Sequence, residues 1–166
     1  MSAPEPYWAA AYGPGVPLHL EAGESTLVDR FDRTASGYPQ RVALEFLGRT
    51  TTYAPMAGKV SRVAEGLRRL GVGPGDSVAL VMPHCPQHVI AFCAVLRLGA
   101  TVVEHNPLYT AGELRLPFID HGARVAIVWD KVVPVVEELR GGSALEHVVA
   151  VDLTTDAASD AKTGVE

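Results

Sequence analysis

Residues 98–123, LGATVVEHNPLYTAGELRLPFIDHGA, place a short apolar strand, a polar loop and a helix in direct succession. Ala100–Val103 reads as the strand. Glu104-His105-Asn106-Pro107-Leu108-Tyr109-Thr110 reads as a loop too long and too polar for a quick turn, and a helix opens at Ala111 and runs to about His121. Pro117 is expected to bend or split that helix, because it removes a backbone donor and crowds the preceding turn. A strand that runs into a polar, proline-bearing loop ahead of a helix is where α/β proteins place ligand contacts.

Reading outward, Ser77–Met82 (SVALVM) is apolar without alternation, which requires burial on both faces of a strand. Pro86 suits the first turn of the following helix. Val89–Leu96 (VIAFCAVL) is apolar all round, so protein should wrap that helix. Val125–Trp129 and His147–Val151 supply further strands, with a helix near Val132–Arg140 between them. Strand and helix recur at roughly 22–25 residues per unit, the pattern of a parallel sheet with right-handed crossovers.

Toward the N-terminus the pattern differs. Ser25 or Thr26 can cap a helix running to about Gly37. Val42–Phe46 and Thr50–Tyr53 flank Leu47-Gly48-Arg49 as a hairpin. Met56, Val60, Val63, Leu67 and Leu70 then fall on one helix face, with Lys59, Arg62, Glu65, Arg68 and Arg69 off it, and Gly71 closes that helix. The expected fold is α/β, a mostly parallel, helix-covered sheet preceded by a small antiparallel hairpin. Residues 1–24, rich in Pro and Gly with scattered aromatics, read as an extended arm. Residues 25–153 form the α/β unit, and 154–166 read as a polar linker or disordered end.

Composition narrows the function classes. The 166 residues are 48% hydrophobic and 20% charged, enough for a substantial core. A net charge of −5 argues against a nucleic-acid partner. Cys85 and Cys93 fit a reducing compartment as free thiols, lying eight residues apart in one expected helix and too far apart to bond. No cationic start precedes an apolar run at the N-terminus, and Val89–Leu96 falls far short of the ~20 residues that span a bilayer. A soluble, cytoplasmic chain is expected, with peripheral contact at the inner face of the membrane left open.

Several constellations invite a chemical reading. Gly71-Val72-Gly73-Pro74-Gly75 resembles a phosphate loop in composition, but it follows a helix and precedes a strand, the reverse of what anion binding at a helix N-terminus needs. It reads as a turn. His84, Cys85 and His88 lack the remaining ligands of a tetrahedral metal site. Lys59, Arg62 and Arg69 could meet anionic lipid or phosphate, although a solvated face partly neutralised by Glu65 is the commoner arrangement. Glu104 and His105 would make an acid/base pair only if both faced one cleft. The loops Pro83-His84-Cys85, Glu104-His105-Asn106 and Asp130-Lys131 should all emerge at the carboxyl edge of the sheet, where open α/β sheets bind ligands.

A set of short matches runs through the chain in order. It comprises Tyr12-Gly13-Pro14-Gly15-Val16-Pro17, Thr51-Thr52-Tyr53, Gly71-Val72, Gly75-Asp76-Ser77-Val78-Ala79-Leu80, Met82-Pro83 and Cys85-Pro86-Gln87. Gly99-Ala100, Asn106-Pro107-Leu108-Tyr109-Thr110, Glu113-Leu114 and Asp120-His121-Gly122-Ala123 complete it. Together they resemble the N-terminal portion of a long-chain fatty-acid–CoA ligase, an acyl-CoA synthetase of the AMP-binding, adenylate-forming family. The chain departs from that pattern in His84, where relatives commonly have Asn, and in Glu104-His105 before Asn106.

The resemblance implies a fold belonging to the large N-terminal domain of such enzymes. It also implies an activity in which a carboxylate and Mg·ATP give an acyl-adenylate, whose acyl group passes to CoA. The family's phosphate loop ending in Pro-Lys-Gly, its later acidic motifs and its C-terminal lysine are absent from this sequence. No catalytic, cofactor-binding or metal residue is therefore assigned. ATP, Mg and CoA are implied for the complete enzyme, with a long-chain fatty acid as partner. His84, His105, Asn106 and Tyr109 are the expected residues near the acyl pocket. The 166-residue chain is expected to be inactive alone and to dimerise or bind dye through exposed apolar surface. Two alternatives are a stand-alone non-catalytic α/β module that binds a lipid or protein, and a fatty acyl-AMP ligase delivering to a carrier protein.

Overall fold

Two strands of opposite direction and four of one direction make up the sheets of the computed structural model, which describes residues 7–19 and 23–154. The first helix, α1 (Leu27–Gly37), begins at Thr26, whose hydroxyl accepts from the Asp29 N–H while Asp29 accepts from the Thr26 N–H. This reciprocal exchange satisfies two of the donors a helix start leaves open. The hairpin follows as β1 (Val42–Phe46) and β2 (Arg49–Thr52), with Phe46 paired to Arg49. Only Leu47 and Gly48 remain in the loop, both at positive φ (47° and 74°), the hand that matches the twist of the strands. Tyr53, expected to end the second strand, instead opens α2 (Tyr53–Arg69).

Helix α2 buries Met56, Val60, Ala64 and Leu67. It closes at Gly71 in the left-handed region (φ 83°), as the 3.6-residue spacing predicts. The parallel sheet is built from β3 (Ser77–Val81), β4 (Thr101–His105), β5 (Val125–Trp129) and β6 (His147–Val151) in the order β4-β3-β5-β6. The helices between them are α3 (Pro86–Arg97), α4 (Ala111–His121) and α5 (Val133–Glu137).

Strand parity divides the core in two. Val78, Leu80, Val125 and Ile127 face α2 and α3, where they meet Val60, Leu67, Ile90 and Val95. Ala79, Val81, Ala126 and Val128 face α4 and α5, where they meet Leu114, Phe118 and Val136. The hairpin and Phe31 of α1 pack against the α2–α3 side, and Arg97 of α3 holds Asp32 of α1 in an ion pair. Helix α3 is thus covered toward the sheet by its buried residues. Its Val89, Phe92, Cys93 and Leu96 share a hollow of about 260 Å³ with Leu27, Val28 and Phe31 of α1.

Further expectations are corrected. Glu104 and His105 do not belong to a loop: they are the last residues of β4, because the ladder to β3 continues to the pair Val81–His105. Helix α4 is not split at Pro117. It runs through, giving up the bond a 117 N–H would make to the Glu113 carbonyl, and buried Leu114 and Phe118 hold it to the sheet on either side. The helix expected over 132–140 is three short pieces, a 3-10 turn at Asp130–Val132, α5, and a second 3-10 turn at Arg140–Gly142. The β-branched Val132, Val133, Val135 and Val136 and the Gly141-Gly142 pair are poor helix formers.

Cys85 is the N-cap of α3 rather than a residue within it, its sulfur accepting from the His88 N–H, and both cysteines are free. In the expected arm, Ala9–Ala11 form a 3-10 turn on which Trp8 and Tyr12 meet at 5.3 Å; residues 1–6 and 20–22 lie outside the described residues. The expected linker beyond Thr154 also lies outside them. Among the described residues no helix is long and apolar enough to cross a membrane.

Candidate functional site at the carboxyl edge of the sheet

The connection leaving β3 turns to the α3 side, whereas those leaving its neighbours β4 and β5 turn to the other side. Diverging connections open a crevice outside the carboxyl ends of the strands. A cleft of about 530 Å³ lies there. Its floor and walls are Leu80, Met82 and Pro83 from β3 and its loop, Trp129 from β5, and Glu104, His105, Asn106, Pro107 and Leu108 from β4 and the turn after it. His84 and His88 complete the rim on the α3 side.

His84 is exposed and stands edge-on to His88, with ring centroids 5.0 Å apart. His88 is buried, and its Nε2 lies 2.7 Å from Oε1 of Glu104. A ring N–H facing a carboxylate at that distance ties α3 to β4 across the cleft wall. Glu104 therefore has His88 as its partner and not His105.

His105 points the other way, since successive strand residues alternate faces. Its ring stacks on Phe118 at 5.0 Å, and its Nε2 lies 3.1 Å from Nε2 of His121. The Nδ1 of His121 accepts the Ala123 N–H at 3.0 Å, so the His121 proton sits on Nε2 and is donated to His105. His105 must then be neutral, with its own proton on Nδ1. Burial, reinforced by the charge of His121, pushes the His105 pKa down to about 4. Burial also lowers that of His121, partly opposed by Asp120. The acid/base pair that Glu104 and His105 could have made is not formed, because Glu104 meets His88 and His105 meets His121.

Asn106 shapes the turn: its Oδ1 accepts from the Leu108 N–H at 3.0 Å and its carbonyl from the Tyr109 N–H at 3.1 Å. Tyr109 is exposed and is not among the residues lining the cleft. Thr110 and Glu113 exchange hydrogen bonds at the start of α4, fixing where the turn ends. Of the four expected residues, the fold brings His84, His105 and Asn106 to one cleft and leaves Tyr109 beside it. Sequence reasoning passed over Trp129, the His88–Glu104 contact and His121. The parallel pairing of Leu80 with Glu104 is the signal that puts Glu104 on the α3 face.

The donor set does not fit Mg·ATP. Gly71–Gly75 opens into a strand, so its N–H groups have no helix dipole behind them, and among the described residues no three His, Cys, Asp or Glu side chains converge. What the cleft offers is a largely apolar wall with imidazole, carboxylate and amide groups at its edge.

Residues 31–165 match the model of the AMP-binding enzyme family. The chain is 31% identical over 142 residues to a long-chain-fatty-acid–CoA ligase of Bacillus subtilis (strain 168), covering 86% of this chain and 25% of that protein. It is 38% identical over 113 residues to 4-coumarate–CoA ligase 3 of Oryza sativa subsp. japonica, covering 68% of this chain and 20% of that one. Among solved structures it resembles an anthranilate CoA ligase in complex with anthranoyl-AMP, with a TM-score of 0.71 and 30% identity over 75% of this chain and 24% of the other. The chain spans about a quarter of the length of the curated relatives it matches.

Proposed function

The chain belongs to the AMP-binding enzyme family, and on that footing we propose that it supplies the N-terminal part of an ATP-dependent ligase. That ligase activates a long-chain fatty acid to the acyl-adenylate and transfers the acyl group to CoA. The observation that carries the reading is the cleft at the carboxyl edge, built mainly from Leu80, Met82, Pro107, Leu108 and Trp129. Its residues do no bond-making. Their part is to wall the acyl chain from water. The contact between buried His88 and exposed Glu104 stiffens one side of the cleft. ATP and Mg belong to residues outside this chain, which alone is inactive.

The first test is the mass of the native protein, detected with an antibody against this chain. A band several times heavier than 17.6 kDa is expected. A band at 17.6 kDa would favour a self-contained binding module instead. The complete protein should then catalyse acid-dependent ATP–pyrophosphate exchange, assayed with a ladder of fatty acids and with 4-coumarate and anthranilate, the acids named for its relatives. Replacing exposed His84 by Glu should raise KM for long-chain acids by about tenfold while sparing kcat, as expected for lost ground-state binding. No exchange with any acid, or exchange by the 166-residue chain alone, would overturn the proposal.

A further inference from the structure

We propose that His88 is a positioning residue: acting through Glu104, it holds the two walls of the carboxyl-edge cleft at a fixed separation and so sets the breadth of acid the ligase accepts. The size selection rests on the ligase reading, whereas the positioning rests on geometry alone. Among the described residues His88 is the one buried polar side chain, 9% exposed. An apolar residue of similar bulk would fill this place without desolvating a ring nitrogen, so its polarity calls for a use beyond packing.

Three contacts of His88 converge on the cleft. Its backbone N–H donates to Sγ of Cys85 at 3.4 Å, which fixes the start of α3 against the loop from β3. Its ring meets His84 of that loop edge-on, with centroids 5.0 Å apart. Its Nε2 lies 2.7 Å from Oε1 of Glu104, which stands just ahead of the Asn106 turn that brings Pro107 and Leu108 to the other wall. The chain itself joins the two walls only by the long way, down α3, around Gly99 and up β4. Gly99 has a φ of 71°, and a Cβ there would lie 3.4 Å from Pro74, so that end of α3 is tightly seated. The 12 residues of α3 make a lever, about 18 Å long. A tilt of about 3° at the Gly99 end moves the His84 end by about 1 Å. Displacements of that size are felt in binding and rate. The His88–Glu104 contact clamps the free end of the lever to β4.

The test compares His88→Leu, which removes the ring donor, with His88→Gln, whose amide nitrogen can donate from the place of Nε2. Glu104→Ala removes the other partner at an exposed position, where folding is not at stake. In the complete protein, acid-dependent pyrophosphate exchange is measured with nonanoate and with 4-coumarate, acids of equal carbon count and different breadth. The ratio of their kcat/KM values should move about tenfold closer to one in His88→Leu and Glu104→Ala, mainly through KM, and hold in His88→Gln. A general loss of stability would lower both acids alike and leave the ratio in place. In the 166-residue chain, hydrogen exchange is followed at the Leu108 and Tyr109 amides, which donate to Asn106. It should quicken by about tenfold in His88→Leu and Glu104→Ala and not in His88→Gln. A wild-type ratio near one, or a ratio unchanged in His88→Leu and Glu104→Ala, overturns the size selection. Amide exchange that is unchanged in those two variants, or equally fast in His88→Gln, overturns the positioning. Absence of pyrophosphate exchange with every acid defeats the ligase reading instead, and the amide exchange then decides the positioning by itself.

Discussion

Acid should weaken this fold before any carboxylate titrates, and His105 is the reason. In the folded chain its Nε2 is the acceptor for His121, so a proton added there would set two donors 3.1 Å apart. Its pKa is accordingly about 4, against an ordinary value near 6.5 in the unfolded chain. The unfolded state therefore binds the proton first. The contribution is fully present above about pH 6.5 and is lost progressively as the pH falls toward 4. At full strength the slope is about 1.4 kcal/mol per pH unit, or about 2 kcal/mol between pH 6.5 and 5. His105 is only half-buried, and solvent screening reduces this to about 1 kcal/mol. His121, also shifted down by burial, adds in the same direction. Asp29, Glu65, Glu113 and Glu137 are shifted down too, but their contributions are lost only as the pH falls below their ordinary values near 4. Urea unfolding at pH 7, 6 and 5 thus isolates the histidines. His105→Phe keeps the ring stacked on Phe118 and removes the titration. The variant is expected to start less stable, since His121 loses its acceptor, yet to lose about 1 kcal/mol less than the wild type between pH 7 and 5. An unchanged pH slope in His105→Phe would refute the reasoning.

Two further outcomes follow from single residues. Leu47 occupies a left-handed position in a two-residue hairpin loop, so Leu47→Asn should stabilise the chain by about 1 kcal/mol, read as a higher urea midpoint at constant m-value; a lower midpoint would show that Leu47 earns its place by packing. Burial pushes both thiols up, so Cys85 and Cys93 should react slowly with a disulfide reagent in the native chain, Cys85 more slowly than the less buried Cys93. Rapid native modification of Cys85 would contradict its buried place at the start of α3.

How far the site was legible depends on what kind of information each residue needed. The strand–helix alternation rests on hydrophobic runs that the core demands, and Ser77–Val81 and Val125–Trp129 were read almost to the residue because both faces of those strands are buried. The end of β4 was not. Glu104 and His105 are polar, and a strand's last residues stay in the ladder because the neighbouring strand offers partners, whatever their polarity. Pro117 misled for a related reason: the local cost of a proline, about 3 kcal/mol, is set against the burial of Leu114 and Phe118, which the linear pattern does not weigh.

The two histidine contacts separate what topology can supply from what it cannot. Once β4 is paired with β3 so that Glu104 lies beside Leu80, parity puts its side chain on the Leu80 face. A right-handed crossover from β3 to β4 covers that same face with α3. His88, the third residue of that helix, then starts at the carboxyl edge, where Glu104 ends its strand. That contact is derivable from register and handedness alone. The His105–His121 pair is not, because it depends on how α4 is rotated about its own axis. The rotation is set by Phe118 and Leu114 filling the space left by Ala79, Ala126 and Val128. The acid sensitivity of the fold is thus fixed by packing on the side of the sheet away from α3, while the cleft wall is fixed by topology. A substitution that reshapes the first, such as one at Phe118, should alter the pH response and leave the His88–Glu104 wall in place.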